Sequence, residues 1–216
     1  MLKKIDVGAV RERPAGGSRP APTIFNFTSS KFAHRHRQGF SLRDPLARAI
    51  GVKKDHFPSI IDATAGLGRD AFLLASLGCS ITLLERVPQV AANLQQALLE
   101  AQQEPHLAPI IARMQLIQTD SIAYLQHLPT EQKPDVIYLD PMYPPSRKTA
   151  LVKQEMQSLR ELVGFDNDTT ELFQAAMQQA KKRVVVKRHR HSPTITELKP
   201  SHVIETKVIR FDVYIV

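Results

Sequence analysis

The chain has 216 residues, 43% of them hydrophobic and 23% charged, a balance that builds one globular domain with short appendages and excludes a chain disordered or fibrous throughout. Its lone cysteine, Cys79, excludes an internal disulfide and a multi-cysteine zinc site, and no apolar run approaches the roughly 18 residues of a membrane span. Residues 1–59 hold 12 Lys/Arg against 4 Asp/Glu, residues 60–180 hold 8 against 14, and residues 181–216 hold 9 against 3, so a polyanion is expected to meet the two basic ends rather than the acidic middle.

In chain order, the first 17 residues carry charge with no apolar stretch behind them, so no secretory signal is read and the protein is expected in the cytoplasm. Pro14, Gly16, Gly17, Pro20 and Pro22 punctuate an arm over residues 1–23. A short helix is expected from Asp44 to Gly51, with Asp44 as cap, Pro45 at the first helical position and Gly51 as stop. Residues 1–57 are thus read as an N-terminal arm and appendage, and 58–216 as the main domain. Strand-length apolar runs follow at Ile60–Asp62, Ile81–Leu84, Met114–Ile117, Val136–Leu139 and Val184–Val186, with helical spacing between them, as in Val90, Leu94, Ala97, Leu98 and Ala101. Alternation of this kind means βαβ units and a parallel sheet covered on both faces. His202–Val208 and Phe211–Val216 break the rhythm and should pair as an antiparallel hairpin at the sheet.

The first strand runs into Asp62-Ala63-Thr64-Ala65-Gly66-Leu67-Gly68-Arg69-Asp70, ahead of a helix expected over Ala71–Leu77. Two glycines one residue apart at a parallel strand's carboxyl end let the backbone turn tightly and approach a ligand. Glu85 closes the next strand, where a carboxylate accepts hydrogen bonds from both hydroxyls of a ribose. Gly66-Leu67-Gly68-Arg69-Asp70-Ala71 also satisfies the dinucleotide pattern G-x-G-x-x-A, so the loop alone leaves a nicotinamide cofactor open. Asp62 and Asp70, however, stand where a pyrophosphate would seek the helix N-terminus, and they suit S-adenosylmethionine better, because it has no phosphate and carries sulfonium and ammonium groups.

The fourth strand ends in Tyr138-Leu139-Asp140-Pro141-Met142-Tyr143-Pro144-Pro145. This suits methylation of an exocyclic amine, a poor nucleophile whose hydrogens must be accepted and whose nitrogen must be held in line with the methyl carbon. Asp140 and the Pro141 carbonyl are the expected acceptors, and Tyr143 the platform for the base, a stacking contact worth about 1–3 kcal/mol. Asp140 and Tyr143 are therefore the catalytic candidates. The chemistry does not name the base, so adenine N6 and cytosine N4 stand beside guanine N2, and an RNA-binding module without turnover is the rival from another class.

From Phe25 to the C-terminus the chain closely resembles the bacterial 16S ribosomal RNA guanine-N2 methyltransferases called methyltransferase J. The resemblance is carried by residues 62–72, Leu84-Glu85-Arg86, 138–144, 146–155, Lys182–Arg188 and the basic stretch His34-Arg35-His36-Arg37. It implies a Rossmann-like class I methyltransferase with a mostly parallel seven-stranded sheet, a C-terminal antiparallel hairpin and a small N-terminal appendage. It also implies S-adenosylmethionine as donor and a guanosine in the 16S rRNA of the small ribosomal subunit as acceptor. Carried onto this sequence, the cofactor contacts fall at Arg69, Asp70, Glu85, Arg86, Asp120, Ser121 and Asp140, beside Asp62 and Gly66 from the glycine loop. Two departures from the family are a shorter N-terminal region and His189-Arg190-His191 in place of a proline after Arg188.

Cys79 precedes the second strand and so belongs at the amino end of the sheet, away from the ligand crevice, as a buried small hydrophobe. The pairs His34/His36 and His189/His191 are spaced for a metal, but the interleaved arginines favour phosphate, and no metal is expected. Basic residues cluster at Arg35, Arg37, Arg43 and Arg48 before the first strand and at Lys181, Lys182, Arg183, Lys187, Arg188 and Arg190 around the fifth; Lys187 to Arg190 follow that strand on the side of Asp62, Glu85 and Asp140, so the catalytic edge is expected to be bordered by positive charge. Lys187, Arg188 and Arg190 in particular are expected to position RNA.

Overall fold

A computed structural model describes residues 26–28, 41–141 and 168–216. Met142, Tyr143, the 146–155 stretch and His34–Arg37 lie outside the described residues.

Asp44 accepts the Leu46 N–H at 2.8 Å, Pro45 opens helix α1 (Pro45–Ile50), and Gly51 ends it at φ 85°, as its sequence requires. The guanidinium of Arg183 donates to the Ala49 carbonyl at 3.2 Å, placing a cation on the C-terminal end of that helix. Then come β1 (Ser59–Asp62), α2 (Arg69–Ser76), β2 (Ser80–Glu85), α3 (Pro88–Gln102), α4 (Ala108–Ile111), β3 (Met114–Gln118) and α5 (Ser121–Gln126). A 3-10 turn at Thr130–Gln132 leads to β4 (Val136–Leu139), and α6 (Thr169–Gln179), β5 (Arg183–His189), β6 (His202–Glu205) and β7 (Ile209–Ile215) complete the chain. Helix α2 begins two residues before the expected start, and β6 stops at Glu205 because Thr206–Val208 form the hairpin turn, where Thr206 Oγ1 accepts the Ile209 N–H at 3.0 Å.

The seven strands lie in the order β3-β2-β1-β4-β5-β7-β6. The first five are parallel, and β7 runs antiparallel between β5 and β6, so the expected α/β sheet with its C-terminal hairpin is present. The order reverses between β1 and β4, which opens a crevice at their carboxyl ends. Successive residues alternate between two cores. Ile60, Tyr138 and Val185 face the side covered by α1, α2 and α3, while Ile61, Ile137, Val184 and Val186 face α5 and α6. Burial of β1 and β4 on both faces explains their unbroken apolar runs. Phe27, 1% exposed, stacks on Phe72 with ring centroids 5.0 Å apart, so residues 26–28 are anchored against α2.

Cys79 is fully buried ahead of β2, and burial pushes its thiol up to about 11. It is the inert small hydrophobe its position foretold.

Candidate active site

The crevice is built from the ends of β1, β2 and β4 and the loops behind them. After β1 the backbone turns through Gly66 at φ 51° and Gly68 at φ 67°, both left-handed. A Cβ at Gly68 would lie 2.9 Å from Leu94 Cδ1, the flexible end of a side chain on α3 that would have to shift, so the left-handed φ is the stronger demand for glycine there. Glu85, 7% exposed, accepts the Gly66 N–H at 2.9 Å on Oε2 and the Val87 N–H at 2.8 Å on Oε1. These bonds fix the orientation of the carboxylate against the glycine loop. Ser121 donates its hydroxyl to the Ala63 carbonyl at 2.7 Å, and the Asp140 N–H donates to Thr64 Oγ1 at 2.6 Å, so the loops after β1, β3 and β4 are tied together. Asp120 caps α5 through the Ala123 N–H at 2.9 Å and is exposed at the rim. Arg86 pairs with Asp168 at 2.6 Å, closing the rim against the start of α6.

Asp62, Asp70 and Asp140 meet on one side of the sheet. Asp62 is level with Tyr138 in the β1–β4 register and Tyr138 with Val185 in the β4–β5 register. Two residues further on, Asp140 and Lys187 therefore leave their strands side by side on the same face. The Lys187 ammonium donates to Asp70 Oδ2 at 2.7 Å and to Asp140 Oδ2 at 2.8 Å, and the Tyr138 hydroxyl donates to the same Asp70 oxygen at 2.6 Å. Burial works against the Lys187 charge, but the charges and hydrogen bonds of Asp140 and Asp70 outweigh it and raise its pKa above the ordinary lysine value. Asp62, 3% exposed, is pushed to about 8 by burial and then by the charges of Asp70 and Asp140, against the lowering effects of the Thr64 N–H and Lys187.

Sequence reasoning missed this lysine. It placed Lys187 with Arg188 and Arg190 as RNA contacts, and the geometry corrects that. Lys187 turns into the carboxylate cluster, and Arg188, 4% exposed, donates to the Pro193 carbonyl; of the three only Arg190 is exposed, where it pairs with Glu205 at 3.2 Å. Lys182 and Arg183 lie at the amino end of β5, where Lys182 pairs with Asp135 at 2.8 Å. Alternation along β5 carried the signal, since Lys187 is an even step from Val185 on the face that bears Asp62 and Asp140.

A cationic nucleoside fits this donor set. The glycine loop admits close approach, Glu85 is fixed for diol recognition, and the head of α2 is flanked by carboxylates that a pyrophosphate would avoid. A separate cleft of about 460 Å³, lined by Ser59, Thr82, Gln115 and Tyr124, opens at the amino ends of the strands and touches none of these residues.

The strand order and the carboxylate-lined glycine crevice define a class I S-adenosylmethionine-dependent methyltransferase, and the profile of the SAM-dependent methyltransferase family matches residues 10–216. S-adenosylmethionine is the methyl donor. Ribosomal RNA small subunit methyltransferase J of Thioalkalivibrio sulfidiphilus is 50% identical over 197 residues, covering 91% of this chain and 77% of that protein. Its namesake from Aeromonas salmonicida is 50% identical over 191 residues, covering 88% and 76%. The chain belongs to this methyltransferase J family. The crystal structure of a SAM-dependent methyltransferase from Neisseria gonorrhoeae is similar at 36% identity and a TM-score of 0.72, covering 91% of this chain and 76% of that one. Among the described residues no helix is long and apolar enough to cross a membrane.

Proposed function

We propose that the protein transfers a methyl group to the exocyclic N2 of one guanosine in 16S rRNA, acting on the small ribosomal subunit in the cytoplasm. The observation that carries this reading is the Asp140 carboxylate at the end of β4, held beside Asp62 and Asp70 in a chain whose relatives bear a small-subunit rRNA methyltransferase name. Residues 58–216 are the methyltransferase domain, and 1–57 the arm and appendage.

The sulfonium of S-adenosylmethionine supplies an activated methyl group. Glu85 takes the ribose hydroxyls, Asp120 and Ser121 border the adenine, and Gly66, Arg69, Asp70, Arg86 and Asp62 complete the cofactor's surroundings. Asp140 and the Pro141 carbonyl accept the hydrogens of the target amine, which orients its nitrogen and stabilises the positive charge that develops there. Tyr143 stacks on the base and fixes its plane.

Nucleoside mass spectrometry of 16S rRNA from cells with and without the gene tests the reading. Loss of one N2-methylguanosine, restored by the wild-type gene but not by Tyr143→Ala or Asp140→Asn, is the expected result. Loss of a methylated adenine or cytosine would reassign the base, and an unchanged nucleoside profile would leave a binding module without turnover.

A further inference from the structure

We propose that the exposed ledge at the carboxyl end of β5, formed by His189, Arg190, His191 and Lys207, is the surface on which the RNA phosphates flanking the target nucleotide dock. The proposal rests on the functional reading above. Its first support is position. His189 lies two residues, about 7 Å, beyond Lys187 on the same strand face. Because β7 is antiparallel to β5, Ile209 pairs with His189 and Arg210 with Glu205, which brings the Thr206–Val208 turn to the same edge. The Arg190 N–H donates to the Val208 carbonyl at 2.9 Å, joining the two segments. All four ledge side chains are exposed.

The second support is the way the ledge is held. Arg210 makes a two-pronged ion pair with Asp212, at 2.7 Å through Nε and 3.1 Å through Nη2, and Asp212 is 1% exposed. The remaining nitrogen, Nη1, donates to the carbonyls of Arg190 at 2.6 Å and Ser192 at 2.7 Å, and buried Arg188 donates to the carbonyl of Pro193. Two guanidiniums thus fix the backbone between His189 and Pro193 while its side chains stay in solvent. The backbone of such a segment has little ordering entropy left to lose on docking.

Charge then sorts a nucleotide between crevice and ledge. The carboxylates of Asp70 and Asp140 repel a phosphate but accept an amine, whereas Arg190 and Lys207 attract the backbone. The Arg190–Glu205 pair, with side chains 44% and 49% exposed, is a solvated contact of little strength that a phosphate can displace. The imidazoles of His189 and His191, with centroids 5.9 Å apart, add hydrogen-bond donors on the same surface.

The test compares wild type with a chain combining His189→Ser, Arg190→Ser, His191→Ser and Lys207→Ser, and with a control combining Lys181→Ser and Lys199→Ser. The control removes the same formal charge at the opposite end of β5 and ahead of β6. Binding to small ribosomal subunits is measured between about 50 and 200 mM salt, and S-adenosylhomocysteine affinity by calorimetry. Losing two cations that each neutralise a phosphate should flatten the slope of log affinity against log salt by about 1.4, and weaken binding about 25-fold at 0.1 M salt. Homocysteine-product affinity should be unchanged, and the control should keep the wild-type slope. A wild-type slope in the ledge variant, equal flattening in the control, or lost cofactor affinity would each overturn the ledge. Wild type that binds subunits in a ledge-dependent way without methylating them would refute the functional reading alone, and wild type that does not bind subunits would refute both.

Discussion

Replacing Lys187 with methionine keeps an unbranched apolar stem as far as Cε and removes the ammonium that reaches Asp70 and Asp140 at 2.7 and 2.8 Å. Asp62, Asp70 and Asp140 then face the crevice without the charge that Lys187 supplies. S-adenosylmethionine and its product differ by one methyl group and one positive charge, so the ratio of their affinities reports the potential at the sulfur. An ammonium about 8 Å from the sulfur, at an effective dielectric between about 20 and 80, would contribute about 0.5–2 kcal/mol. Lys187→Met should therefore raise the preference for the sulfonium form about fivefold, a change of about 1 kcal/mol, and Asp70→Asn should lower it by a similar factor. Calorimetric titration of both ligands against both variants reads this directly. With side chains 23% exposed at Lys187 and 40% at Asp140, the pair lies between the buried and solvated regimes, so the methionine variant should lose about 2 kcal/mol of stability and about 4–8 °C in Tm. If the two variants weaken both ligands equally, Lys187 merely props the loop and the electrostatic argument fails.

Asp62 has a folded pKa of about 8 against an ordinary 3.8, so the folded chain keeps a proton that the unfolded chain releases; this group's contribution to stability is full below about 4 and is lost as pH rises toward 8. Asp62→Asn mimics the protonated acid and should remove that slope from a Tm-against-pH series, and a slope equal to wild type would contradict the assignment. Arg210→Met strands the buried Asp212 carboxylate and should cost about 3–5 kcal/mol in urea unfolding, much of it recovered when Asp212→Leu is added; equal loss in single and double variants would show that the pair is not the cause. Gly68→Ala meets both a φ of 67° and Leu94 Cδ1 at 2.9 Å, so it should weaken S-adenosylhomocysteine binding more than Gly68→Asn, whose side chain tolerates the left-handed region; the reverse order would shift the cause from the backbone to side-chain volume.

Local features of the chain were legible because their causes are local. Asp44, Pro45 and Gly51 bound a six-residue helix through their own hydrogen bonds and dihedrals, and apolar runs of strand length marked strands buried on both faces. Gly66 and Gly68 announced a tight turn, and Glu85, nineteen residues from Gly66, proved to be the carboxylate that receives its N–H. Phe27 gave no such signal, since a lone aromatic among polar residues does not name the ring, Phe72, on which it stacks.

What the tertiary structure decided is which charges meet. Lys187 lies 117 residues from Asp70 and 47 from Asp140, and only the adjacency of β1, β4 and β5, in one register, puts one ammonium between two carboxylates instead of in solvent. Arg210 likewise reads as one more cation of a basic tail, until the antiparallel β7 sets it opposite Arg188 and under the carbonyls of Arg190 and Ser192. Sequence determines how each segment bends and which face it buries, because those forces act over a few residues. The pairing of ions depends on strand order and register, which are set by packing the whole sheet at once, and so the chain's basic excess could be counted from the sequence but not assigned.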